Sequence, residues 1–303
     1  MFTGYIKGVN ESDYTELPKP LRWEIVRADK PQYDSFTYVF PFDGAFRERL
    51  SGIPSFQAKD GQTLLFTGRV DGFTVGLDAS GCVCTLYGRS TGALMVDNEL
   101  PAAELTSPTV QTIQQKYLAP LGILIERETE PTPPETFKIL LGDSVLKVLA
   151  NYAMAVEALP CRILTNGNLR LAYTRADSGI TLERGDVFSA ELLDRRRGVV
   201  SEFRLLEDYG YEPRHNTAFL TEGGRARRYM RQCVYSETQI IYETMRKRRL
   251  YRVLLPGTAR IEPASQFTLT LPELGVDTTL YVTECRSVGS PEGILCEITG
   301  AEY

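Results

Sequence analysis

A single histidine, His215, sits in the polar stretch Tyr211-Glu212-Pro213-Arg214-His215-Asn216-Thr217. One imidazole allows at most one Ser/His/Asp triad and rules out a zinc site built on several histidines. No acidic or apolar frame activates it, so it reads as a loop residue. Six cysteines (Cys82, Cys84, Cys161, Cys233, Cys285 and Cys296) contain no CxxC pair. Cys82 and Cys84 are two apart in a strand pattern and share a face. The cysteines read as small buried hydrophobes in a reducing compartment, ahead of disulfides or metal ligands. Gly88-Arg89-Ser90-Thr91-Gly92 has the glycines of a phosphate cradle but lacks the lysine and the following helix of a P-loop. Asp186, Glu191 and Asp194 are acidic, yet nothing pairs them as a glycosidase dyad. No GxGxxG follows a strand, and there is no GxSxG elbow. The chain is expected not to be an enzyme and to hold no cofactor or metal.

Positive charge gathers in Arg195-Arg196-Arg197, in Arg225 to Arg231, and in Arg246-Lys247-Arg248-Arg249. The whole chain nevertheless carries a net charge of −5, whereas a dedicated nucleic-acid binder carries a basic surplus. Tyr229 and Tyr235 are the aromatics interleaved with the arginines, few for stacking on bases. These stretches are therefore expected to be a solvated face or a protein interface, ahead of a nucleic-acid contact. The interface candidates are Arg225, Arg227, Arg228, Arg231, Ile240, Arg246 and Arg248. The last three fall on a helix expected over residues 236–250, whose cationic last turn suits the negative end of the helix dipole.

The elements that must position these residues are mostly strands. The chain has 303 residues, 43% hydrophobic and 24% charged, ordinary for a soluble globular protein with two or three modest cores. No apolar run approaches the roughly 20 residues that span a bilayer, and the N-terminus lacks a hydrophobic signal core. Synthesis in the cytoplasm, without membrane insertion, is expected. Residues 22–26 and 35–40 alternate as strands. A Gly/Pro/Ser-rich connection follows, then a hairpin over Gly61 to Arg89, with its turn expected near Asp71-Gly72. The C-terminus repeats it: Thr279-Leu280-Tyr281-Val282-Thr283 answers Thr63-Leu64-Leu65-Phe66-Thr67. Gly293 to Gly300 likewise answers Gly81 to Gly88. An internal repeat of this kind is one β unit used twice.

Between the two copies the pattern changes. Ser107-Pro108 is read as a helix start, followed by Val110, Ile113, Tyr117, Leu118 and Leu121 at helical spacing, with Gly122 as the C-terminal cap. Phe137 to Leu140 is a strand. Gly142-Asp143-Ser144 caps a second helix bearing Val145, Leu146, Leu149, Tyr152, Ala153 and Val156. Asn166-Gly167 joins two further strands as a hairpin turn. Strands resume at 180–182, 188–193 and 199–206, a loop or insertion is expected over 207–224, and 267–271 alternates cleanly. The fold class expected is β-rich α+β: two similar β-barrel domains with a small α/β module between them. The boundaries are 1–98 for the first β-barrel domain, 99–176 for the module, and 177–303 for the second, with an insertion near 207–235.

Gly68-Arg69-Val70-Asp71-Gly72, then Gly88-Arg89-Ser90-Thr91 and Leu94-Met95-Val96-Asp97, resembles the GR-x-x-x-x-LVD passage of phage baseplate hub proteins. These are the late-control protein D family and the hub of Mu-like phages. Residues 139–150, the Asn166-Gly167-Asn168 hairpin and Tyr251 to Gly257 resemble the same family, in the same order. Asn98 stands where the family has cysteine or serine, and the 207–231 insertion has its own character. The resemblance implies a virion structural protein of the tail baseplate or tip, made late in the host cytoplasm, and a homotrimer with two tube-like β-barrel domains per chain. Such a ring has pseudo-sixfold symmetry. It would adapt a hexameric tail tube, or tube initiator, to a trimeric spike or tip in a phage or related contractile injection system. Other baseplate proteins and the tape measure are further partners. The alternative is a cell-wall-binding or cell-wall-degrading tail-associated protein, because residues 142–171 loosely resemble small peptidoglycan-binding modules.

Overall fold

In Phe2–Lys7, Ser35–Pro41 and Gln266–Leu271 every second residue is buried, which is the signature of strands with one face on a core. The computed structural model describes residues 2–29, 33–52, 55–79, 81–127, 130–157, 161–171, 177–207, 210–224, 227–231, 244–245, 248–258 and 261–302. The chain divides into two units. The first contains Met1–Thr174 and Arg286–Cys296; the second contains Arg175–Cys285 and Glu297–Tyr303.

Six main strands build the sheet of the first unit, with the two-residue strand Thr15–Glu16 paired outside the first of them: β1 (Phe2–Lys7), β2 (Arg22–Ala28), β3 (Ser35–Pro41), β4 (Ser55–Asp60), β5 (Thr63–Asp78) and β6 (Gly81–Ser90). They lie in the order β2-β3-β6-β5-β4-β1. Aromatic rings fill the buried face. Phe2 stacks on Trp23 at 3.7 Å, Phe36 stacks on Phe56 at 3.9 Å, and Tyr38 is wholly buried beside them. Such ring pairs add about 0.5–1.5 kcal/mol each beyond the area they bury. The turn expected at Asp71-Gly72 is not a turn. β5 runs on to Asp78, and its pairing with β6 shifts register between Val70 and Gly72, a β-bulge. β1 and β4 are strands that alternation predicts only weakly, because Gly4 interrupts the apolar face of β1 and the buried face of β4 holds only Phe56 and the small Ala58.

The same unit holds a second core. Its main helix, Val145–Glu157, buries Val145, Val148, Leu149, Tyr152 and Ala153, and the Ser144 hydroxyl accepts the Lys147 amide at its start. Phe137 meets Tyr152 edge-on at 5.4 Å, and the Tyr152 hydroxyl donates to the Pro108 carbonyl at 2.8 Å. The helix expected from Ser107 begins later. Thr109 is its cap, accepting from the Thr112 amide, while Ser107 lies at φ +43° and leads into it. Val110–Ile113 is α-helical, Gln114–Leu118 widens to a π turn, and Ala119–Leu121 tightens before Gly122 at φ +72°. Short strands complete the module: Thr136–Ile139 pairs with Ala103–Thr106, Asp143–Ser144 with Glu99–Leu100, and Leu169–Arg170 with both Ile125–Glu126 and Arg162–Ile163.

Six further strands repeat the plan: β7 (Asp177–Glu183), β8 (Ser189–Asp194), β9 (Arg249–Pro256), β10 (Gln266–Leu271), β11 (Val276–Ser290) and β12 (Gly293–Glu302), all of the second unit except the β11–β12 tip, Arg286–Cys296. Their order is β8-β9-β12-β11-β10-β7, the order of the first six position for position. One pair differs: β7 runs parallel to β10, whereas β1 runs antiparallel to β4. Val253, Phe267, Leu269, Leu280, Val282 and Ile298 are fully buried. Among the described residues no strand pair closes either order into a barrel.

Between β8 and β9, where a loop is expected, the described residues include a small sheet. Gly210–His215 pairs with Glu202–Glu207, which also takes Arg228–Arg231 as a parallel neighbour. Asn216 caps a short helix, Thr217–Thr221. His215 is thus the last residue of a strand, exposed, and not a loop residue. Arg249 and Leu250 open β9, so these two are strand where a helix over 236–250 is expected. Residues 236–243 and 246–247 lie outside the described residues.

Candidate functional site

The bulge in β5 explains the chemistry of the Gly-Arg motifs. Val70 pairs with Gly88 and Gly72 with Tyr87, which leaves Asp71 as the extra residue. A bulge re-aims a side chain. Here the Asp71 carboxylate accepts the Arg89 Nε at 2.6 Å. The rest of the Arg89 guanidinium grips Asp97 at 2.8 and 3.1 Å, the planar two-point geometry that arginine makes with a carboxylate. No Cβ fits at Gly68, Gly72 or Gly88: it would strike the Arg89 carbonyl, the Tyr87 ring or the Arg69 carbonyl. The motif is a structural clamp, and its arginine is already committed to carboxylates.

Other residues of the same motifs also meet. The Thr91 hydroxyl donates to the Gly167 carbonyl at 2.8 Å, with Gly167 at φ +89°. Asn166 and Asn168 donate side-chain amides to Glu126 at 2.9 and 2.8 Å. These bonds, the one from Asn168 foremost, hold the Glu126 carboxyl below its ordinary range. The Val145 amide donates to the Asn98 carbonyl at 2.9 Å.

The predicted basic candidates separate into distinct environments. Arg227 and Arg228 are exposed. Arg227 donates to the Arg197 carbonyl at 2.6 Å and lies 5.4 Å from the Tyr229 ring centre. Arg228 donates to Glu202 at 2.6 Å, and Arg204 pairs with the same carboxylate. Those two arginines, Arg228 first, lower the Glu202 pKa. Arg231 ends its strand beside Leu205. Arg248 is 3% exposed and internal to its unit. It pairs with Asp194 at 3.2 Å and with Glu222, over the face of Phe219. Arg225, Ile240 and Arg246 lie outside the described residues.

No group of three or more His, Cys, Asp or Glu capable of holding a metal occurs among the described residues. Burial pushes the Cys84 thiol up to about 11 and the Cys161 thiol up to about 12, which disfavours the reactive thiolate. A shallow polar hollow lined by Thr268, Asp277, Thr278, Thr279 and Glu302 gathers hydroxyls and two carboxylates on the face of β10 and β11. Among the described residues, no helix is long and apolar enough to cross a membrane.

Apolar side chains exposed at strand edges are what the sequence reading missed. Val75 and Leu77, near the end of β5, are 43% and 80% exposed; Phe188 and Leu192, at β8, are 61% and 41% exposed. Their signal is alternation that continues past Gly72, which a turn assigned there conceals. At the corresponding hairpin tip, Arg286–Cys296, the edge is covered. β11 is the neighbour of β2, Gly289 lies against the Trp23 ring, and Arg286 donates to Glu24 at 2.9 Å.

No protein-family model matches the chain, and no curated protein matches it. Solved structures do. The 43 kDa tail protein of prophage MuSo2 from Shewanella oneidensis superposes with a TM-score of 0.80 at 16% identity, over 99% of this chain and 98% of that one. The tail protein from Neisseria meningitidis gives 0.75 at 16% identity, over 99% and 96%. A component of the type VI secretion system of E. coli, the c3393 protein, gives 0.59 at 10% identity, over 98% and 76%. The chain has the fold of phage tail proteins, a fold shared with a component of the type VI secretion system.

Proposed function

We propose that this protein is a structural component of a phage tail or related injection particle, and specifically its baseplate hub. The carrying observation is the repeat of one six-strand order, β2-β3-β6-β5-β4-β1, as β8-β9-β12-β11-β10-β7 in a single chain. A chain with two copies of one β unit presents six similar faces from three subunits. That answers the mismatch between a sixfold tube and a threefold spike, within the closed symmetry that homo-oligomers favour. In this reading each six-strand sheet curls into a tube-like barrel domain, and the module of residues 99–176 packs outside the ring. The likeness to tail proteins over nearly the whole chain supports a tail role. The E. coli relative, a type VI secretion component, supports the wider class of injection particles.

The partners are two further copies of this chain, the tail tube or its initiator, and the spike or tip. Other baseplate proteins and the tape measure complete the set. The place of action is the virion tail. The work in this reading is done by shape and interface complementarity. Light scattering on the purified protein tests the reading: three times the 34.0 kDa chain mass supports it, and a monomer that binds neither tube nor spike overturns it.

A further inference from the structure

The covered edge at one hairpin and the bare edge at the other are corresponding parts of the repeat. β4 pairs with β5 only from Thr63 to Arg69. From Val70 to Asp78, β6 is the partner of β5 among the described residues, and the opposite edge of β5 is bare. β8 stands at the end of its sheet order, and among the described residues its outer edge is bare as well. An exposed strand edge lined with apolar residues is a template for adding another strand.

The repeat says what each bare edge fits. β11 covers the outer edge of β2, and β2 is the counterpart of β8 while β11 is the counterpart of β5. Positions can be matched one by one. Pro41 and Pro256 end β3 and β9. Three residues before each lie Tyr38 and Val253, both fully buried. Trp23 pairs with Tyr38, and Ala190 pairs with Val253. Ala190 therefore holds the place of Trp23, and Glu191 the place of Glu24. On the hairpins, Leu77 and Gly289 are each the last residue but one of their strand. The covered contact sets a large ring, Trp23, on a glycine, Gly289. At the two bare edges the sizes are exchanged: a large Leu77 and a small Ala190.

We propose that the outer half of β5, Gly72–Asp78, in one copy adds to the free edge of β8, Ser189–Asp194, in a second copy of this chain. Leu77 packs onto Ala190, and Val75, Phe188 and Leu192 line the seam. The internal contact of β11 with β2 is the template for this one. Three such junctions alternate with three internal ones and close the ring. The inference rests on the trimeric reading and names the surfaces that make the trimer.

The test exchanges volumes at the seam. Ala190→Trp alone sets a ring against Leu77 and is expected to weaken the trimer, raising its dissociation constant by roughly tenfold or more. Leu77→Gly alone leaves a void and weakens it as well. The double variant Leu77→Gly/Ala190→Trp copies the internal Gly289–Trp23 pair and is expected to restore the trimer. Separately, oxidation of Leu77→Cys/Ala190→Cys is expected to give covalently closed trimers. Circular dichroism of each variant as a monomer checks that it is folded. A trimeric wild type that Ala190→Trp leaves intact and that Leu77→Cys/Ala190→Cys does not link overturns the edge assignment while sparing the trimer. Failure of the double variant to restore the trimer also counts against the seam. A monomeric wild type overturns both.

Discussion

Arg89 and Asp97 form a two-point ion pair, with guanidinium nitrogens 2.8 and 3.1 Å from the two carboxylate oxygens. The bulge brings Asp71 to the third edge of the same guanidinium at 2.6 Å. β6 is thereby tied to the helix Gly92–Asp97 that begins the second core. Arg89→Lys keeps the charge but loses the fork. Allowing for its partial exposure, we expect Arg89→Lys to cost about 1–2 kcal/mol in denaturant unfolding. A loss under a few tenths would show that the clamp is not structural.

Gly289 has no room for a side chain beside Trp23. Gly289→Val is expected to lift the hairpin tip from β2, at about 1–3 kcal/mol of overpacking. Proteolytic cutting within residues 286–296 should rise, while cutting within Val145–Glu157 should not. Uniform loosening of both segments would refute a local role for this contact.

Tyr152 spends its hydroxyl on the Pro108 carbonyl in the module core. Tyr152→Phe leaves that buried carbonyl without its donor and is expected to cost about 1–2 kcal/mol. Burial pushes the phenol up to about 12, so no phenolate effect on stability is expected near neutrality.

Arg248 lowers the pKa of Glu222, and, against the opposing effect of burial, its hydrogen bond and that of Arg196 lower the pKa of Asp194. A depressed carboxylate pKa stabilises the fold above the unfolded value, 4.5 for Glu222, and that contribution fades as pH falls through the folded pKa. Melting temperature should be flat from neutrality to about pH 5 and then drop. Glu222→Gln should lower the plateau and flatten the drop; an unchanged acid limb would show that the pair carries no linkage.

Much of this fold is written in alternation. Ser35–Pro41, Gln266–Leu271 and both long hairpins show period two because one face of each meets a core. The repeat is legible because Gly81 and Gly293 open the second strands of both hairpins. Asp71-Gly72 misleads because a bulge and a turn use the same residue types; only pairing with β6 distinguishes them. Ser107-Pro108 misleads because Thr109, two residues on, also suits a cap. Arg248 carries the sequence pattern of a surface cation, and its burial follows from Asp194 and Glu222, 54 and 26 residues distant. The proposed seam at Leu77 and Ala190 is legible only once the strand orders of both halves are compared.

Electron-microscopy averages of the purified assembly, viewed along its axis, test the central claim most directly. The account predicts a threefold ring with six similar lobes around a channel, two lobes from each chain. A ring of three lobes, a sixfold ring of six chains, or an assembly without a central channel would contradict it.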